Sequence, residues 1–442
     1  MSKYKKYFDD LIKINPSLSY ELGNRDKYSC SHVTNDISDD YLSKLYKLSL
    51  KYAHYDDIEL KLEIDYIKYL FEYKIYLYNI ICPYDNAIIN FYHENNSKEH
   101  KKYKKIRIAD FNKYIKTIIE RLKEALNLKI TIPYIICIKF MEQIKDYNKE
   151  LYNFIKNNYL NKCRKTIGLC HLPNGKKIYK VLLKNTLAGL SKTPEEIHNL
   201  GLSLVSDITK PKTKELYTSK EKLFKDCKKL ALYIYDNIIE KYFYYKPDKP
   251  FTLKIVAKEL EKTTSLAYYT PSDDIVYINL SYYKEIDKQS LYSLLMHECF
   301  HQYHYRFMKY YKLDFNDNNI LIEGFAHYME TYCDHYDDDN NLSILRKLRL
   351  VVDTGINYYG WTYKKALNYM NKYLPDSKDN NINEIERYIC KPSQSLCYLI
   401  GKLEIIKIRD KFLKEKRGTI KDFHHKLLIN EHLSFLTLHK IK

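Results

Sequence analysis

The chain has 442 residues, 45% of them hydrophobic and 29% charged, a balance that excludes a disordered chain and allows a sizeable core with a deep cleft. Its formal net charge of +18 would attract polyanions and acidic peptides through the long-range field. Lys and Arg are spread along the chain without a nucleic-acid motif, so no specific nucleic-acid partner is expected. The 48 Tyr against 10 Gly, 11 Pro and one Trp read as the coding bias of an AT-rich genome, which discounts much of the basic excess.

In chain order, the opening MSKYKKYFDDLIKINPSL lacks the apolar core and cleavage site of a signal peptide. No run of about 18 apolar residues follows, so a cytoplasmic protein with no membrane partner is expected. The ten cysteines form no CxxC pair, which suits reduced thiols. Apolar residues three and four apart predict helices over Tyr114 to Leu126 and Leu223 to Glu240. Phe251 to Ala257 and Asp274 to Leu280 read as strands. Turn signals at Pro173-Asn174-Gly175, Lys246-Pro247-Asp248 and residues 376–383 are too short for an interdomain linker. The expected fold is therefore mainly α, a large helical zincin-like domain with a small β-sheet beside the active-site helix. An N-terminal helical subregion covers 1–150 and a catalytic region 151–442, together one continuous domain.

The segment LLMHECFHQYHYRF holds H-E-x-x-H at His297, Glu298 and His301, among Leu291, Leu294, Leu295 and Met308 at helical spacing. Residues four apart share a helix face, so both imidazoles can reach one metal while Glu298 lies beside its water. A hydrolytic zinc site normally needs a third protein ligand. Glu323, in the helical pattern ILIEGFAHYMETY, is the natural candidate. Its small neighbours Gly324 and Ala326 would let that helix approach the first, with the polar run DFNDNN as turn and cap between them. Solvated surface histidines would explain H-E-x-x-H blandly, and the downstream glutamate helix is what weighs against them. The chemistry implied is zinc-assisted hydrolysis of a peptide, with Glu298 as general base. DIVYINL is either a core strand or a strand that pairs with substrate backbone.

Longer segments add a resemblance. INPSLSYELG, residues 172–202, AYYTPSDDIVYINL, IEGFAHYMETY, residues 349–370, residues 386–412 and DFHHKLL resemble, in order, segments of the DUF885 family, which is similar to the gluzincin peptidases. The resemblance implies a mostly helical zinc metallopeptidase with a substrate channel. Where the family reads HExxPGHH this chain reads HECFHQYH, which sets His304 on the family's last histidine. His301 fits the zincin spacing, and His304 stays open as the alternative ligand. Asn357 stands where the family usually has a histidine, so a catalytically impaired peptide-binding homologue is the alternative function. Ser393 and Ser395 replace a Gly and an Ala, read as a packing adjustment. The resemblance further implies that Asp353, Arg387, Tyr388, Gln394 and Tyr398 line the cleft. Tyr388 or Tyr398 would donate to the oxyanion, and Arg387 would pair with a substrate carboxylate. His327 would pack or hydrogen-bond behind the metal, and Glu330 and Asp334 would be solvated or support the ligands.

Overall fold

Helix is what the apolar spacing dictates, and helices dominate the computed structural model. It describes all residues except 1–2, 24–25, 85, 209–214, 262–263, 314–317, 334–337, 339, 431–432 and 441–442. The expected helix around 114–126 lies within Lys104–Asn127, which buries Phe111, Ile115, Ile118, Leu122 and Ala125 along one stripe. The expected helix 223–240 begins at Lys220, capped by the Ser219 hydroxyl, and passes through a π-turn, Ile234–Ile238, before ending at Tyr242. No helix among the described residues is long and apolar enough to cross a membrane.

The fold is mainly α with one small sheet. Strands β1 (Leu253–Ile255), β2 (Ala267–Thr270) and β3 (Ile275–Ile278) lie in the order β1-β3-β2. β1 runs parallel to β3 with Leu253 opposite Val276, and β2 runs antiparallel with Ala267 opposite Ile278. The β3 segment is thus central and paired on both sides. It cannot take a substrate strand, as DIVYINL could have been expected to do, and among the described residues β2 forms an edge of the sheet instead.

The chain divides into two compact units. One comprises residues 1–185, 352–369 and 379–394, and the other 186–351, 370–378 and 395–442. The second unit contains the sheet and four helices that matter below. We call Lys288–Tyr311 the His helix, Asn319–Glu330 the Glu helix, Asn341–Asn357 the Arg helix and Cys397–Lys414 the Tyr helix. The Arg helix belongs to this unit up to Val351.

The sheet is fastened to the His helix through the turn between β2 and β3. Asp274 closes that turn at φ +55°, a left-handed conformation that Asp tolerates better than most residues. From the His helix, Arg306 Nε donates to Asp274 Oδ2 at 2.9 Å and Gln302 Nε2 donates to the Asp274 carbonyl. The Gln302 side-chain oxygen accepts from Thr252 N at 3.1 Å, just ahead of β1. Two side chains of one helix therefore fix both the hairpin and the parallel strand.

Candidate metal centre

The His helix starts where Asp287 accepts a hydrogen bond from Ser290 N at 2.8 Å, a standard cap for exposed amide groups. Among residues 290–308 most side chains are buried, including His297, Glu298 and His304. This helix is therefore internal, and its polar residues need partners. The Glu helix follows. Asn318 occupies its cap position but makes no capping bond, and donates instead to the Leu433 carbonyl at 3.1 Å. The polar run expected to cap the helix thus does not do so through Asn318, and its residues 314–317, like Asp334, lie outside the described residues.

Gly324 has a different neighbour from the one its small size suggested. A Cβ built there would sit 2.6 Å from the Gly401 Cα, and one built on Gly401 would sit 2.3 Å from the Ile320 carbonyl oxygen. The close approach is between the Glu helix and the Tyr helix, backbone against backbone. The crossing brings Glu323 and Tyr398 together, with the Tyr398 hydroxyl donating to Glu323 Oε1 at 3.1 Å.

At the centre, His297 Nε2 lies 3.0 Å from His301 Nε2 and 3.1 Å from Glu323 Oε2, and His301 Nε2 lies 3.4 Å from the same oxygen. These three residues form the one group of His, Cys, Asp or Glu among the described residues with metal-holding geometry. The two imidazole rings stand at 90° to one another. His304, the alternative ligand, is outside the group; its buried ring meets the edge of Phe325 at 5.8 Å.

Behind the triad stands a second carboxylate. Glu330 has no exposed surface; its Oε1 accepts from His297 Nδ1 at 3.0 Å and its Oε2 accepts from Arg346 of the Arg helix at 2.7 Å. A solvated Glu330 is thereby excluded. The Glu330 acceptor holds a proton on Nδ1, which leaves Nε2 as the ring atom that meets Glu323 and His301 and that would ligate a metal. Burial disfavours a charge on His297, but the bonds to Glu323 and Glu330 outweigh it and raise its pKa to about 9. Burial also acts against the Glu323 charge, and hydrogen bonds from both histidines hold its pKa well below the usual range. Glu298 is pushed up by burial, an effect that His297, His301 and the Tyr269 backbone on β2 oppose only in part.

The Tyr398 ring stacks on His297 at 5.8 Å and 19°, and the Arg349 guanidinium lies 4.5 Å from that ring's centroid. His327, one turn after Glu323, is buried, and neither ring nitrogen has a hydrogen-bond partner among the described residues. Burial holds it neutral, with Arg346 and Lys402 adding to the effect.

A family profile described as "Bacterial protein of unknown function (DUF885)" matches residues 210–438, just over half of the 442-residue chain. The chain belongs to the DUF885 family. The match spans the triad, Glu298, Glu330 and Tyr398, whereas the family-like segments before residue 210 lie outside it. Two solved structures are similar to this DUF885 chain along its whole length. One, described as a "putative lipoprotein" from Colwellia psychrerythraea, is 18% identical with a TM-score of 0.76, covering 100% of this chain and 98% of that one. The other, from Shewanella oneidensis and described in the same words with unknown function, is 13% identical with a TM-score of 0.59, covering 99% and 98%. At such identities they share the fold. No curated protein matches the chain.

The remaining residues that the DUF885 resemblance singled out lie in the other unit, as a buried polar knot. Asp353 has no exposed surface and accepts from Tyr179 Oη at 2.7 Å and from Ser393 N at 3.1 Å. Asn357 donates to the Tyr388 carbonyl at 3.0 Å and accepts from Leu169 N at 3.2 Å. Arg387 donates to Glu384 at 2.9 Å and to Gln394 Oε1 at 3.0 Å, and the Tyr388 hydroxyl donates to the same Glu384 at 2.5 Å. Ser393 has φ +71°, so its difference from the family's glycine concerns backbone conformation rather than packing.

Sequence reasoning missed the roles of Arg346 and Arg349, and left Glu330 undecided. Glu330 is seven residues after Glu323, two turns along the same helix face, a spacing that could have pointed to a shared partner. Nothing comparable pointed to either arginine.

Proposed function

We propose that this DUF885 protein is a zinc-dependent hydrolase that cleaves peptides, with His297, His301 and Glu323 as ligands and Glu298 as general base. The observation that carries the reading is the triangle of donor atoms, with sides of 3.0, 3.1 and 3.4 Å. Ligands about 2.1 Å from a tetrahedral zinc ion are separated by about 3.4 Å, so the donors fit that ion closely. The set is also chemically apt, two imidazoles and a carboxylate with one position left for water. The chemistry that zinc supplies when bound is Lewis acidity, which polarises a carbonyl and acidifies a water.

Everything else falls to the chain's own side chains. Glu298 takes the proton from the attacking water and hands it to the leaving amine. Its raised pKa brings it nearer to neutral operating pH, where a general base works best. The Tyr398 hydroxyl, at Glu323, can turn its proton towards the developing oxyanion, and Arg349 over the ring favours negative charge there. β2, at the edge of the sheet, can pair with an extended peptide backbone. Glu330 and Arg346 hold His297 in place.

The test is cleavage of a peptide library by the purified full chain beside Glu298→Gln. The wild type should carry about one zinc and cleave, and the variant should keep the metal and lose at least about 100-fold in rate. Undiminished cleavage by the variant rejects Glu298 as the base. A second reading, a peptide-binding homologue without turnover, is favoured by Asn357, which can offer only a neutral hydrogen bond where a family histidine could carry charge. Product formed in a single-turnover assay eliminates it.

A further inference from the structure

One cation beside the triad, Arg349, bears on what the substrate carries. We propose, resting on the hydrolase reading, that Arg349 is a specificity-determining residue that pairs with a carboxylate of the peptide, two or three residues from the scissile bond.

The Arg helix carries two arginines three residues apart, Arg346 and Arg349, a spacing that puts them on one helix face. Their surroundings differ. Arg346 donates to Glu330 Oε2 at 2.7 Å, so its charge is committed to the carboxylate that holds His297. Arg349 meets an aromatic ring instead, with its guanidinium carbon 4.5 Å from the centroid of Tyr398. That ring stacks on His297 with centroids 5.8 Å apart, and its hydroxyl donates to Glu323 Oε1 at 3.1 Å. Arg349 therefore stands one tyrosine ring away from two of the three proposed ligands. An extended peptide advances about 3.3–3.6 Å per residue. A chain with its scissile carbonyl at the triad can thus bring a carboxylate two or three places away to this guanidinium.

The residue type suits the task. A guanidinium over an aromatic face is attracted by the ring, which restrains its position. Its N–H donors lie in one plane as a fork that matches a carboxylate. Five donors also let one arginine hold such a carboxylate alongside a partner within the protein. Arg349 is only 9% exposed, so a pair formed there gains from the low local dielectric. Solvent still reaches the triad, where the His301 and Glu323 side chains keep 14% and 18% of their surface. The net charge of +18 adds a long-range pull on acidic peptides. Arg387, which the sequence suggested for this pairing, is bonded to Glu384 and Gln394. The carboxylate has two possible sources, the free C-terminus of the peptide or an Asp or Glu side chain, and the arms of the test separate them.

The experiment measures binding of short fluorescein-labelled peptides to the full chain by fluorescence anisotropy, with zinc present and in the Glu298→Gln background so that peptides stay intact. One peptide of neutral residues is compared as the C-terminal acid, as the C-terminal amide, and as the amide with Glu placed at each position in turn. A carboxylate-bearing peptide should bind at least about 10-fold more tightly than the neutral amide. Preference for the acid assigns the C-terminus, and preference for a Glu position assigns a side chain. Arg349→Gln, checked for folding by circular dichroism, should lose the preference. Arg349→Lys, which keeps the charge without the fork, should retain part of it. Equal binding of all the peptides overturns the proposal whether or not the glutamine variant folds, and so does a preference that a folded Arg349→Gln retains. Because binding is read without turnover, these results are distinct from a failure of the hydrolase reading, which is the absence of cleavage by the wild type.

Discussion

His297 is held at both ends of its ring, by Glu330 at Nδ1 and by Glu323 at Nε2, so its orientation is set before any ion arrives. Removing the outer carboxylate's charge should loosen that hold. Glu330→Gln is expected to weaken zinc binding by roughly 10- to 100-fold, read by competition with a chelating dye, with the folded state retained. Arg346→Met is expected to be worse for stability, because it leaves Glu330 buried without its cation; a loss of about 3–5 kcal/mol in urea unfolding checks this. A different buried imidazole is expected to contribute to acid sensitivity. His424 donates from Nδ1 to the Tyr242 carbonyl at 2.9 Å and accepts at Nε2 from Tyr328, whose hydroxyl also meets that of Tyr332. Burial pushes its pKa down to about 4. The unfolded chain takes up a proton near the ordinary value of 6.5 and the folded chain resists until about 4. This contribution is therefore complete above about pH 6.5 and lost as pH falls towards 4, amounting to roughly 3 kcal/mol. Urea titrations at pH 7 and 4.5 should show that loss in the wild type and a smaller one in His424→Gln.

The crossing of the Glu helix and the Tyr helix depends on two glycines rather than on side-chain interdigitation. Gly401→Ala drives a methyl group into the Ile320 carbonyl, one turn before Glu323, and neither atom belongs to a flexible side chain. The variant is expected to lose about 1–3 kcal/mol and, because the Glu helix must shift, to bind zinc more weakly. Thermal unfolding with and without added zinc measures both effects. The same crossing shows where sequence reading stops. The i,i+4 histidines announce themselves, since helical geometry alone puts them on one face. That Gly324 is small is also visible, but which helix it faces is a tertiary fact, and the neighbour turned out to be the Tyr helix. The strand Asp274 to Leu280 was equally plain, whereas its central place was not. That place depends on pairing with Leu253–Ile255, and short strands carry no record of their partners.

Across the whole molecule, amphipathic spacing was enough to expect a mainly α protein with a small sheet, because each helix buries its own stripe. The division into units was not legible. It interleaves residues 352–369 and 379–394 with a unit that otherwise ends at residue 185, and no Pro- or Gly-rich linker marks those exchanges. On the proposed reading, ligand linkage would make zinc binding visible in the stability of the chain as a whole. Zinc at 100 times its dissociation constant should add about 2.7 kcal/mol to unfolding, an increment that the Glu323→Ala variant should lack. The most direct measurement is the zinc bound per chain after equilibrium dialysis, for wild type beside His301→Ala and His304→Gln. Wild type and His304→Gln should each hold about one zinc, and His301→Ala should lose it. Stoichiometric, undiminished zinc in His301→Ala would contradict the convergence of His297, His301 and Glu323 on one ion.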